Sequence, residues 1–127
     1  MIINNYLAKQ YPTPPCWALV ADVYTTELSG SVLDYRTINK SIRAIAGAFR
    51  IALHKSEHGF MQVAEPVDYA IVLLGKSPAL GLHHCGIYYQ GSVLHAMDTG
   101  NIYQDLASLQ GEYPLSEFWA KPAPSAS

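Results

Sequence analysis

The chain has 127 residues, a formal net charge of −2, half of its residues apolar and only 14% charged. That size and apolar content fit one domain with its own core and leave no room for a disordered chain. The mild acidity, with no dense Lys/Arg cluster, argues against a nucleic-acid or membrane-surface partner, and no window approaches the roughly 18–20 apolar residues of a membrane span.

The opening stretch MIINNYLAKQYPTPP has neither a basic leader nor a long apolar run, so no secretory signal is expected. Ile2, Ile3, Tyr6, Leu7 and Tyr11 show a loose helical spacing. From Cys16 to about Glu27, Trp17, Leu19, Val20, Val23 and Tyr24 recur three and four apart, which predicts a helix opened by Pro14-Pro15 and closed by Ser29-Gly30. A second helix is expected over Ile38 to Leu53, with Ile38, Ile42, Ile45, Phe49 and Leu53 on one stripe.

After His58-Gly59 the texture turns β-rich. Strands are expected at Phe60–Ala64, Tyr69–Leu74, His83–Tyr89, Ser92–Met97 and Leu115–Ala120, with one helical turn at Leu106–Leu109. Helices first and a run of strands after give an α+β domain over residues 1–120. Residues 121–127, rich in Pro, Ala and Ser, read as a flexible tail.

Gln90-Gly91 between two alternating runs reads as a two-residue hairpin turn. The register then pairs Tyr89 with Ser92, Tyr88 with Val93, Gly86 with His95 and His84 with Met97. Alternation puts His84, Gly86, Tyr88, Val93, His95 and Met97 on one face, with His84 and His95 as diagonal neighbours and Gly86 leaving room for His95. Cys85 falls on the other face with Ile87 and Leu94, as a packed thiol, which argues against a Cys16–Cys85 disulfide. A three-residue loop would reverse this parity.

Cys16 and the two histidines form the constellation with chemical meaning. A thiol at a helix start is where backbone N–H groups and the helix dipole favour a thiolate, and a strand histidine is the base such a thiol needs. Any one of these residues alone reads as core. Together they propose Cys16 as nucleophile, His84 as base and His95 as the residue that orients it. His83 reads as a packing residue on the opposite face from His84. His54 and His58 lack a third ligand, and a zinc site from His83, His84, Cys85 and His95 would need ligands from both faces of one sheet, so no metal or cofactor is expected. Asp68 is read equally as a turn residue or a catalytic part, and Asp98 as a turn residue.

These residues resemble the NlpC/P60 cysteine peptidases, particularly the phage-tail-associated forms. Cys16-Trp17-Ala18-Leu19-Val20 stands where the family has Cys-Trp-Gly-Leu-Val. It is followed by Val23-Tyr24, Glu27-Leu28 and Leu33-Asp34-Tyr35. Pro66-Val67-Asp68-Tyr69-Ala70 resembles the family's Pro-Gly-Asp-Leu-Val, His84-Cys85-Gly86-Ile87-Tyr88 its His-Val-Gly-Ile-Tyr, and Leu94-His95-Ala96 its next strand. The resemblance spans nearly the whole chain in order and departs at Pro15, Ala18 and Val67, where the family has Asp, Gly and Gly.

It implies a papain-like fold, with N-terminal helices packed on an antiparallel sheet, and the same three roles for Cys16, His84 and His95. The implied substrate is the stem peptide of bacterial peptidoglycan, and the implied partners are phage or prophage tail proteins that deliver the domain to the wall. A tail-assembly module with a silent site, an interbacterial toxin, and an acyltransferase or amidase acting elsewhere remain alternatives on the same fold.

Overall fold

The computed structural model describes residues 1–12, 15–28, 47, 51 and 59–121. Within them, α1 spans Ile3–Leu7 and α2 Pro15–Leu28. The strands are β1 Met61–Val63, β2 Ile71–Gly75, β3 His84–Tyr89, β4 Ser92–Met97 and β5 Gly100–Asp105, and after them come α3 Leu106–Glu112 and β6 Leu115–Ala120. The expected helix over Ile38–Leu53 lies outside the described residues apart from Gly47 and Ile51, which are helical. His54, His58 and residues 122–127 also lie outside them.

The six strands form one sheet in the order β1-β6-β2-β3-β4-β5, every neighbour antiparallel. The molecule is therefore α+β. β2 is buried along its whole length because both of its faces are covered. On one face Ile71, Leu73, Cys85, Ile87, Leu94 and Ala96 meet Trp17, Leu19, Val20, Val23 and Tyr24 of α2. On the other, Val72, Leu74 and Val93 meet Leu109, Tyr113 and Phe118. No helix among the described residues is long and apolar enough to cross a membrane.

Pro15 occupies the first turn of α2, where its missing N–H costs nothing and its fixed φ suits the helix. The β3–β4 register is the expected one, with Tyr89 opposite Ser92, Tyr88 opposite Val93 and Ile87 opposite Leu94. Gln90 (φ 49°) and Gly91 (φ 90°) both take left-handed backbone, as a type I′ turn requires. The Asp68 carboxylate accepts the Gln90 N–H at 2.9 Å, which gives Asp68 a turn-holding role at the end of the hairpin away from the histidines.

Two elements differ from expectation. β5 was not expected as a strand, because Asn101 and Gln104 are poor strand formers and its burial pattern is that of a half-exposed edge. α3 runs on to Glu112 rather than ending at Leu109. The Asp105 side chain accepts the Ser108 N–H at 2.9 Å and caps its start, while Leu109 buries its inner face.

Gly86 is fixed by close approach. A Cβ built there would stand 2.7 Å from the Leu94 carbonyl oxygen, 2.7 Å from Val93 Cγ1 and 3.0 Å from His95 Cβ. Gly86→Ala should therefore destabilise the fold by about 1–3 kcal/mol through overpacking, read as a lower urea midpoint. An unchanged midpoint would show that β3 and β4 can separate at this point without cost.

Candidate active site

Cys16 is the second residue of α2 and lies at the end of the sheet where β3 begins. There its thiol meets two side chains, those of Cys85 and His84. Cys85 stands with Ile87 and Leu94, as expected, on the sheet face that α2 covers. The inference that parity separates the two cysteines is corrected: α2 packs on Cys85's own face, so the thiols are neighbours, and both are free. His84 is reached because it is the first residue of its strand.

His84 Nε2 lies 2.9 Å from His95 Nδ1, the rings edge to face with centroids 5.0 Å apart. His95 Nε2 lies 3.2 Å from Gln104 Oε1, and Gln104 Nε2 donates to Glu112 Oε1 at 2.9 Å. The three expected site residues are thus brought together, and a hydrogen-bonded chain continues past them to the surface. His95 is 2% exposed and Cys16 5%.

Tyr113, just past α3, stacks on His84 at 5.4 Å and 20° and contacts the His83 ring at 5.9 Å. Lys76 Nζ sits 5.5 Å from the centre of the Tyr113 ring. His83 precedes β3, so strand alternation does not govern it, and its ring meets the same tyrosine as His84 instead of an opposite face. Tyr113 and Gln104 had no sequence signal of their own: the first sits after a short helix, the second on an unexpected strand.

Electrostatics sort the two thiols. The Cys85 S–H, working against burial and together with the His84 ring, holds the Cys16 thiol well below its usual range. Burial, and then the neighbouring Cys16 sulfur, push Cys85 well above its own. Cys85 therefore keeps its proton and donates it toward Cys16. Burial first and the nearby His84 second lower His95 to about 4, so its ring is neutral near pH 7.

Beside Pro15 runs an open polar groove of about 350 Å³, walled by Lys9, Tyr11 and the Met97–Asn101 turn that contains Asp98. Asn101 Nδ2 donates to the carbonyls of Tyr6 and Lys9, at 2.8 and 2.7 Å, and ties the N-terminal segment to β5. No group of three or more His, Cys, Asp or Glu among the described residues is arranged to hold a metal ion.

No protein-family model, no curated protein and no solved structure matches this chain.

Two outcomes test that geometry. Iodoacetamide near pH 6 should modify Cys16 before Cys85. Cys85→Ala should slow Cys16 labelling by removing a donor to the thiolate, while Cys85→Ser, which keeps a donor, should not. Peptide mapping by mass spectrometry reads both, and preferential labelling of Cys85 would overturn the assignment.

The second outcome concerns acid. Between pH 6.5 and 4 the unfolded chain binds a proton at His95 that the folded chain does not, so stability should fall as pH drops through that window, by about 3 kcal/mol at most. Below pH 4 this contribution is spent. Urea unfolding of the parent and His95→Gln between pH 7 and 4 should show a shallower acid dependence in the variant. Coincident profiles would mean that His95 is not held neutral.

Proposed function

We propose that this chain is a cysteine peptidase with a papain-like NlpC/P60 fold, hydrolysing stem-peptide bonds of bacterial peptidoglycan as part of a phage or prophage tail. The observation that carries the enzymatic part is the Cys16 thiol in contact with His84, itself bonded to His95 at 2.9 Å. The substrate class and the tail partners rest on the ordered motifs from Cys16-Trp17 through Leu94-His95-Ala96.

The chemistry is acyl transfer. His84 takes the Cys16 proton, and the thiolate attacks the peptide carbonyl, whose π electrons move onto oxygen. Backbone N–H groups at the start of α2, that of Cys16 among them, are the donors closest to that oxyanion. When the C–N bond breaks, His84 delivers its proton to the leaving amine. Water then attacks the thioester with His84 again as base, which releases the acid and restores the thiol. The groove lined in part by Pro15, the residue before Cys16, is the room this reading offers a substrate.

Pro15, standing where such peptidases carry an aspartate, favours a second reading, a tail-assembly module on the same fold that does not hydrolyse.

Digestion of purified muropeptides, followed by mass spectrometry, separates the two. Cys16→Ala should abolish turnover, a loss of several orders of magnitude, while circular dichroism and melting stay close to the parent. His95→Asn, whose amide oxygen can still accept an imidazole N–H, should be milder than His95→Ala. An inert parent protein supports the tail-module reading, and equal damage from both His95 variants reduces His95 to packing.

A further inference from the structure

The hydrogen-bond chain from Glu112 to His84 has a direction, and that direction is set at its surface end. Glu112 is exposed, and as a carboxylate it can only accept. The amide group of Gln104 that faces it must therefore be the NH₂, which is the arrangement found at 2.9 Å. This turns the Gln104 carbonyl oxygen toward His95, where it too can only accept, so His95 Nε2 carries the hydrogen across the 3.2 Å contact.

A neutral imidazole has a single N–H. With it on Nε2, His95 Nδ1 is a bare lone pair, and the 2.9 Å contact to His84 must be filled by an N–H on His84 Nε2. His84 Nδ1 is then the nitrogen left to meet the Cys16 thiol. The opposite setting of the Gln104 amide would reverse every step. His95 would donate from Nδ1, His84 Nε2 would accept, and a neutral His84 would carry its hydrogen on the nitrogen that should take one from Cys16. The preference for a neutral His95 agrees with its burial.

We propose that Gln104, oriented by Glu112, is a positioning residue that fixes the tautomers of His95 and His84 so that the His84 Nδ1 facing the nucleophile is bare and can take its proton. This deepens the cysteine-peptidase reading and rests on it for its catalytic meaning. Neither residue touches the reacting atoms. The groups that bear on His95 are His84 from β3, Gln104 from β5 and Glu112 from α3, and the groups that bear on His84 are Cys16, His83 and Tyr113.

Long-range ¹H–¹⁵N correlation spectra of ¹⁵N-histidine-labelled full chain near pH 7.5 read the tautomers directly, whether or not the protein digests anything. The parent should show His95 as the Nε2–H form. Glu112→Gln can still present an amide oxygen to Gln104 and should keep that form. Glu112→Lys can only donate, so it should turn the Gln104 amide, remove the Nε2–H form of His95 and slow iodoacetamide labelling of Cys16 by about tenfold, less than the loss of the base itself. Because Glu112 is on the surface, both variants should fold, and melting checks this. His95 as the Nδ1–H form in the parent, or an unchanged His95 tautomer in folded Glu112→Lys, overturns the proposal. A parent with the expected tautomers that leaves muropeptides intact would instead overturn the peptidase reading and leave the positioning role standing.

Discussion

The contact between His84 and His95 depends on the turn at Gln90-Gly91, which decides on which face of the sheet every side chain of β3 and β4 stands. Both turn residues sit at positive φ, the Asp68 carboxylate holds the Gln90 N–H, and the pairing that follows runs without a bulge through Ile87 and Leu94. Gly86 then lets the two backbones close at the point where His95 must approach. A slip of β3 by one residue would turn His84 into the α2 interface, bring Cys85 out among the polar groups and leave the two histidines on opposite faces. The His84–His95 contact follows from that register, and the β4–β5 pairing and α3 then bring Gln104 and Glu112 to it.

Two sheet faces carry two different duties. The α2 face is a continuous apolar interface, and it brings the Cys16 thiol to the sheet with Cys85 beneath it. The α3 face mixes aliphatic packing with a buried polar line, and such a line is stable only if each member is satisfied. Gln104 and Glu112 complete it. Tyr113 covers His84 from the same side, so its imidazole is held by a hydrogen bond along one edge and by a ring on its face. The Cys16 thiol comes to this arrangement at the rim of the sheet, from the helix on the other side.

Much of this was legible in the chain. The period of α2, the strand pattern from residue 60 onward and the turn dipeptide are local signals, and local signals suffice to place His84 and His95 together. The sequence misled where contacts come from different elements. Strand parity separated Cys85 from Cys16, yet which face a helix covers is a tertiary choice. β5 escaped notice because an edge strand whose outer side meets solvent tolerates Asn101 and Gln104, and with it went Gln104 as the residue that links His95 to Glu112. Tyr113 and His83 flank regular elements, where neither helical nor strand periodicity says which way a side chain points.

The order of elements along the chain also bears on when the site comes into being. β3, β4 and β5 form a meander of adjacent hairpins whose closing loops are short, so the pair of histidines and Gln104 depend on contacts between near neighbours in sequence. Cys16 belongs to α2, far upstream, and docking it closes a much longer loop at a correspondingly larger entropic cost. A chain that has formed only its hairpins has the histidine pair without the Cys16 thiol. The lowered Cys16 thiol is therefore a property of the completed fold, absent from a partly folded copy emerging during synthesis.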